Sequence, residues 1–387
     1  MDSEDDTWIS MTVGDFLTLN YGKSLPEKKR KQGNIPVYGS NGITGYHDQA
    51  LVSGPGIVVG RKGTSGAVHY CKSDFFPIDT TFYITPSEHY DLRFVYYLLQ
   101  TLQLDKLNFD SAVPGLNRNT AYSIPIKIPQ KQEQQKIASI LGTLDSKIEL
   151  NHQMNLTLER IAQTIFKHWF IDFEFSNEEG KPYKSSGGEM VYSAELEKEI
   201  PKGWEVKSLK EVSYNFDSKR IPLSSRERAK RSGKIPYYGA TGIMDYINDY
   251  IFEGIYVLLG EDGSVIDDEG HPILQYVWGK FWVNNHAHVI QGNGISNEFL
   301  YLFLRNTNVQ HLVTGAVQPK INQQNLNSLK FVILGDKTIK SFEKIIQPIF
   351  SLYRSKHQAT SDLAQIRNIL LPKLISGEIR VRGDEIA

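Results

Sequence analysis

Gly33-Asn34-Ile35-Pro36-Val37-Tyr38-Gly39 returns 200 residues later as Gly233-Lys234-Ile235-Pro236-Tyr237-Tyr238-Gly239. Both runs continue alike, to Gly42-Ile43 and Tyr46 in the first copy and to Gly242-Ile243 and Tyr246 in the second. Solenoid units repeat every 20–50 residues, roughly, so this much longer spacing means a whole domain written twice. A duplicated domain suggests a target that also comes in two halves.

The offset between copies shows where they differ. Trp8 aligns with Trp204 at 196, and Gly60 and Gly63 align with Gly260 and Gly263 at 200. The offset then settles at 205, because the second copy carries five more residues around Asp267 to Asn285. At 205, Asp91-Leu92-Arg93-Phe94-Val95-Tyr96 aligns with Ser296-Asn297-Glu298-Phe299-Leu300-Tyr301. Each opens on a residue favoured at helix N-caps and continues as an apolar run of helical spacing. Val113-Pro114-Gly115-Leu116-Asn117 likewise pairs with Gln318-Pro319-Lys320-Ile321-Asn322.

The repeat extends into the most regular part of the chain. Leu141, Leu144, Ile148, Asn151, Asn155, Leu158, Ala162, Ile165 and Trp169 are spaced alternately three and four apart, a heptad seam. Adding 205 gives Ile346, Ile349, Tyr353, Lys356, Thr360, Leu363, Arg367, Leu370 and Leu374, in the same register with the same polar break. A helix from Lys131 to His168 would be roughly 57 Å long, which calls for a partner helix. The spacing predicts one antiparallel pair, with Asn151 and Asn155 meeting Lys356 and Thr360 near its middle. The alternative is that each helix packs only on its own domain.

Short apolar runs flanked by glycine, Ile57-Val58-Val59 and Ile255-Tyr256-Val257-Leu258-Leu259, read as buried strands between tight turns. The predicted fold class is therefore α/β (α+β): two mixed α/β domains separated by a pair of long antiparallel coiled-coil helices, with an internal pseudo-two-fold repeat. The expected boundaries are residues 1–128 for the first domain and 129–175 for the first long helix. Residues 176–203 form a polar, turn-rich surface connection, 204–334 the second domain, and 335–387 the second helix and tail.

The chain has 387 residues, of which 40% are hydrophobic, enough for two or three domains with cores. Its single cysteine, Cys71, excludes a disulfide framework and a thiolate metal cluster. The sequence has no long apolar stretch and opens on Asp2, Glu4, Asp5 and Asp6, so a soluble cytoplasmic protein is expected, with no signal peptide and no membrane partner. A net charge of −1 hides segregation. Lys23, Lys28, Lys29, Arg30 and Lys31 crowd the stretch before the first Ile-Pro-x-Tyr-Gly, opposed only by Glu27. Lys219, Arg220, Arg226, Arg228, Lys230, Arg231 and Lys234 crowd the matching stretch of the second copy. A lone charge run is usually a solvated loop, but its repetition suggests a polyanion contact made twice.

The sequence carries no recognisable catalytic motif. No Asn-Pro-Pro-aromatic or Asp-Pro-Pro-Tyr sequence of an amino-methyltransferase is present. Gly54-Pro55-Gly56 lacks the rest of a dinucleotide fingerprint, and Gly60-Arg61-Lys62-Gly63-Thr64 lacks Walker spacing. His286 and His288 alternate like strand residues with no cysteine or third histidine nearby, so no metal site is expected. The polar loops are better candidates for contacts. Ser40, Asn41 and Thr241 follow the Tyr-Gly turns, while Asn117, Arg118, Lys320, Asn322 and Gln323 lie at the proline turns. Asn, Gln and Arg make bidentate contacts to base edges. With Arg61, Lys62 and Thr64, and with Lys23, Lys28, Arg30, Lys219, Arg220 and Arg226 from the basic stretches, these form the candidate DNA-contact set.

Two copies of a variable unit, each followed by a long helix, resemble the specificity subunit of type I restriction–modification enzymes. Pro201-Lys202-Gly203-Trp204 is similar to that family's opening motif. Phe166-Lys167-His168-Trp169-Phe170-Ile171-Asp172-Phe173 and Leu370-Leu371-Pro372-Lys373-Leu374-Ile375-Ser376-Gly377-Glu378-Ile379 resemble its helix endings. Gly180-Lys181-Pro182-Tyr183 and Gly187-Gly188-Glu189-Met190 resemble its central connection. The resemblance implies a non-catalytic DNA-recognition subunit whose two target-recognition domains each bind one half of a bipartite sequence in double-stranded DNA. It implies helices that separate the halves and dock two methyltransferase subunits, joined by endonuclease subunits. S-adenosylmethionine, ATP and Mg would then belong to the partners, with no cofactor on this chain. A self-contained methyltransferase or nuclease, and a duplicated protein- or glycan-binding scaffold, are the alternatives.

Two departures from the pattern stand out. Pro129-Gln130-Lys131-Gln132-Glu133-Gln134 at the first helix start becomes Gly335-Asp336-Lys337 at the second. Arg61-Lys62 becomes Glu261-Asp262, which accepts from a cytosine amino group or simply holds a loop.

Overall fold

The computed structural model describes residues 8–107, 115–315, 317–333 and 336–381. Val113, Pro114 and Gly335, used above to align the copies, lie outside the described residues, as does the acidic N-terminus. The chain forms two compact units, Met1–His152 with Gln358–Ala387, and Gln153–His357.

Each unit holds one copy of the repeat, built on the same plan. Ile9–Thr12 pairs antiparallel with Pro125–Ile128, and Glu205–Ser208 pairs antiparallel with Lys330–Ile333, so each domain is closed where its chain enters and leaves. Each first strand runs into a one-turn helix, Val13–Phe16 or Leu209–Val212, fixed by a capping box of Thr12 with Asp15 or Ser208 with Glu211. The amphipathic helices Leu92–Thr101 and Asn297–Arg305 start at the N-caps expected from sequence, Asp91 and Ser296. Those side chains accept from the amides of Phe94 and Phe299 at 2.9 and 3.1 Å.

The sheets show where the copies part. In the first unit Asn20–Tyr21, Thr81–Ile84, Gly56–Gly60 and Val68–Cys71 form a four-stranded sheet, and Gly42–His47, Ile35–Gly39 and Phe76–Pro77 a three-stranded one. In the second unit a single ten-residue strand, Leu274–Val283, pairs with both Phe252–Gly260 and Ser232–Tyr238 and merges the counterparts into one six-stranded sheet. Gly60 N–H bonds Ala67 O, whereas Gly260 N–H bonds Ile273 O, so the extra residues of the second copy swell the turn before that strand. The repeated Gly33 and Gly233 are needed for close approach: a Cβ would lie 2.3 Å from His47 O and 2.4 Å from Ile247 O.

The long helices are Lys131–Phe166 and Asp336–Ser376, of 36 and 41 residues, or roughly 54 and 61 Å. Each supplies residues to both units. Within the first unit Arg380 bonds Glu133 at 2.9 Å and Arg367 bonds Asp145 at 2.8 Å, so the two helix segments run antiparallel there. Within the second unit the Phe166 and Phe342 rings lie 5.9 Å apart, and Leu158 and Glu159 sit beside Ile349, Phe350 and Tyr353, again antiparallel.

The seam positions Leu141, Ile346 and Leu374 are buried, and Leu144, Ile148, Leu158, Ile165, Ile349, Leu363 and Leu370 are partly buried. The stripe drifts at its ends, however, because an α-helix outpaces a 3.5 repeat and a π turn follows at Lys167–Ile171. Phe166 and Phe170 therefore carry the core where Ile165 and Trp169 were expected. Asn151 and Asn155 are buried; the Asn151 amide and the Asn155 oxygen have no hydrogen-bond partner among the described residues.

The connection at 176–203 is more than a surface loop. It contains the hairpin Met190–Ser193 with Lys198–Pro201, and Tyr183 stacks on Phe175, which packs on Trp204. Its turn-rich composition concealed these aromatic anchors. Among the described residues no helix is long and apolar enough to cross a membrane.

Candidate nucleic-acid interface

The turn after Gly60 occupies the same backbone frame in both units. Lys62 bridges Gly115, and Asp262 bridges Lys320. Leu116 N–H donates to Arg61 O at 2.8 Å, and Ile321 N–H donates to Glu261 O at 2.9 Å. The strand pairing also matches: Val59 faces Phe82 as Leu259 faces His288. Tyr21 is the antiparallel partner of Phe82, and Asp217, just past the strand Ser213–Asn215, bonds His288 through its side chain.

In the first unit this frame holds an aromatic and guanidinium stack. Arg61 lies 5.3 Å from the exposed Tyr21 ring and 5.9 Å from Phe82, and its Nη2 donates to Asp79 O at 2.6 Å. Arg118 approaches Tyr21 at 4.9 Å and Tyr122 at 5.8 Å. Two half-buried guanidinium groups thus share one ring. Lys62 and Thr64 project beside them into solvent.

In the second unit the frame holds an ion-pair hub. Arg220 donates to Glu261 at 2.6 Å and to Ala287 O at 2.7 Å, and Lys320 meets Glu261 at 3.0 Å. His288, buried, bonds Asp217 through Nδ1 and faces Ile321 O through Nε2 at 2.7 Å. Burial opposes ionisation of Asp217, but His288, the Val289 amide and Arg220 outweigh it and hold the carboxyl below its usual range. Burial likewise opposes ionisation of Glu261, and Arg220 and Lys320 prevail. Asp217, Glu261 and His288 bring three potential metal-ligand atoms within 4.8 Å of one another. The Arg220 and Lys320 cations already occupy the attractive positions around them, so the cluster reads as an internal salt-bridge network. His286 bonds Asp262 at 2.6 Å, separately from His288.

Several sequence candidates are therefore committed to the fold. Arg220, only 12% exposed, holds the hub together rather than facing solvent. Ser40 is buried and donates to Thr80 O at 2.7 Å. Asn117 caps the helix Arg118–Tyr122 through the amides of Asn119 and Thr120, and Asn322 caps Gln323–Asn327 through Asn325. Each satisfies a backbone donor that a helix start leaves open. Arg30 is half-buried and donates to Thr44 O at 2.7 Å. Lys23, Lys28, Asn41, Lys219, Arg226, Thr241 and Gln323 are exposed; Lys219 lies over the Phe216 ring at 5.1 Å. Sequence reasoning missed Tyr21 and Asp217 and named His288 only as a strand residue; that His288 stands where Phe82 does shows only once the pairing is followed strand by strand.

The type I restriction modification DNA specificity domain matches residues 5–160 and 201–334, one match per copy. The chain is 31% identical over 319 residues to the type I restriction enzyme MjaIX specificity subunit of Methanocaldococcus jannaschii, covering 77% of this chain and 71% of that one. It is 41% identical over 130 residues to a putative type I restriction enzyme specificity subunit of Haemophilus influenzae, covering 33% of each. Its fold resembles the type I restriction–modification S subunit from M. genitalium, with a TM-score of 0.64, 18% identity and coverage of 97% and 98%. With its domain matched in both copies and a relative aligned over most of its length, this chain belongs to the type I restriction–modification DNA specificity family.

Proposed function

We propose that the chain is the non-catalytic DNA specificity subunit of a type I restriction–modification complex, reading a bipartite duplex with one domain per half-site. The match of the specificity domain to each copy of the repeat carries this reading. The long helices set the gap between half-sites and dock two methyltransferase subunits, and endonuclease subunits complete the assembly in the cytoplasm. S-adenosylmethionine, ATP and Mg are bound by those partners. Neither a self-contained enzyme nor a protein- or glycan-binding scaffold has comparable support in the family match.

Co-expression with the methyltransferase subunit, followed by methylome sequencing, tests it. One bipartite motif with methylated adenine in both halves is expected, and methyl transfer by the purified chain alone would overturn the assignment. Exchange of residues 8–128 for those of another family member should change one half-site only. Insertion of four residues after Asn151 adds roughly 6 Å of helix. At about 3.4 Å per base pair the gap should widen by one or two pairs with both half-sites intact. A fully active insertion variant with an unchanged gap would show that the helices are not the ruler.

A further inference from the structure

The two hairpins that carry the repeated motif share an unusual feature. Ile35–Gly39 pairs with Gly42–His47, and Ser232–Tyr238 pairs with Ile243–Ile247. Ile43 and Tyr46 are three apart, as are Ile243 and Tyr246, and in a regular strand that spacing puts side chains on opposite faces. A bulge at Thr44, and at Met244 in the second copy, removes the mismatch. Tyr38 faces Ile43 and Pro36 faces Tyr46, exactly two apart on the partner strand, so Ile43 and Tyr46 share one face. Tyr238 with Ile243 and Pro236 with Tyr246 repeat the arrangement.

The opposite face is core, with Val37 and His47 buried in one hairpin and Tyr237 and Ile247 in the other. On the shared face Tyr38 and Tyr238 pack against Phe75 and Phe281, and beyond them the face is open. Ile43 and Tyr46 are 51% and 56% exposed, and Ile243 and Tyr246 are 46% and 51% exposed.

In each hairpin a basic segment is tied behind the open face, on the side that carries Gly45 and His47 or Tyr237 and Asp245. Arg30 donates to Thr44 O at 2.7 Å, and Gly45 leaves room for it, since a Cβ would lie 2.7 Å from Arg30 Nη1. Lys31 N–H bonds His47 Nδ1 at 3.0 Å, which leaves Lys28, Lys29 and Lys31 exposed at the hairpin's flank. In the second copy Arg228 bonds Asp245 at 2.9 Å and Asn248 N–H bonds Arg231 O at 2.7 Å. There Arg226, Lys230, Arg231 and Lys234 are exposed. The nearby turns reverse charge between copies, from Arg61 to Glu261, yet this apolar pair with its basic flank stays the same.

We propose that Ile43 with Tyr46, and Ile243 with Tyr246, are the apolar base-contact pairs of the two half-sites, with the basic flanks on the adjoining phosphates. The inference rests on the specificity-subunit reading above. A two-stranded ribbon fits the major groove, and apolar side chains there read the thymine methyl. The flanking lysines supply the sequence-independent attraction.

The test uses the complete complex with its methyltransferase subunits and the duplex motif mapped for the unaltered chain. Ile43→Ser with Tyr46→Ser should weaken binding about tenfold or more and relax discrimination at one half-site only, without changing the salt dependence. Ile243→Ser with Tyr246→Ser should do the same at the other half-site. Lys28→Ser with Lys29→Ser should instead lower the salt slope by about two, uniformly across sequences. Tyr46→Phe should keep the affinity, because the ring is retained. Unchanged affinity and methylome in both Ser pairs would overturn the proposal. So would intact DNA discrimination with failed subunit assembly by native mass spectrometry, or a loss that merely tracks a lower Tm. If the unaltered complex itself showed no bipartite preference, the specificity-subunit reading would fail instead.

Discussion

The turn at Arg61 and the turn at Glu261 share one backbone and carry opposite charge. In the first unit Arg61 and Arg118 lie against Tyr21; in the second, Glu261 and Asp217 gather Arg220, Lys320 and His288. The frame tolerates this because main-chain bonds hold it, Leu116 to Arg61 and Ile321 to Glu261. Side chains are then free to change without unfolding the turn. A second inversion lies on the matching helices of the two copies, where Arg93 corresponds to Glu298. Arg93 lies over Tyr70 at 5.5 Å beside an open cleft of about 540 Å³. Glu298 is buried and receives Tyr276 at 2.6 Å, Gln347 at 2.8 Å and Arg354 at 3.0 Å, while Trp278 packs on Tyr353 and His357. The duplication keeps the main chain and lets each copy satisfy its own polar groups.

The largest effect should come from that second inversion. Glu298→Ala leaves Arg354 and two further donors without their acceptor, and about 3–5 kcal/mol of stability should be lost from the second unit. Arg93→Ala should cost the first unit only about 1 kcal/mol, because its partner is a ring at an open cleft. Hydrogen exchange resolved by unit would measure both; equal losses would break the contrast.

Acid should separate the units next. Asp217 and Glu261 have lowered folded-state pKa values, so their contribution is present above the ordinary carboxylate range and is lost as pH falls through the folded values. Below about pH 4 the second unit should therefore lose stability at this site, by roughly 1–3 kcal/mol for each charged hydrogen bond removed. The corresponding Tyr21, Phe82 and Arg61 include no carboxylate. Asp217→Asn with Glu261→Gln should flatten the acid limb of the second unit's urea midpoint, and an unaltered limb would remove these carboxylates as its cause.

The smallest effect concerns DNA. Arg61→Ala should weaken binding by about 1 kcal/mol, the low end for an Arg contact, since one Nη group already donates to Asp79 O. Glu261→Ala should change affinity little and act on stability through Arg220. Titrations over a range of salt would decide it: an Arg61 variant with unaltered affinity and slope takes this turn out of the interface.

Sequence alone fixed whatever rests on periodicity and local chemistry. The 200-residue repeat, the heptad seams and the N-caps at Asp91 and Ser296 were legible because spacing and capping act within a few residues along the chain. What came from distant strands was not. Arg220 stands in a basic run, yet it is internal because the Glu261 turn, the Ala287 carbonyl and Asp217 converge on it. Ser40, Asn117 and Asn322 looked like free polar contacts until the carbonyls and amides that occupy them came into place. Ile43 and Tyr46 acquire a common face only through a bulge whose register is set by the partner strand. Composition records that a charge or a ring is present; tertiary pairing decides whether it is spent inside the fold or left open to a ligand.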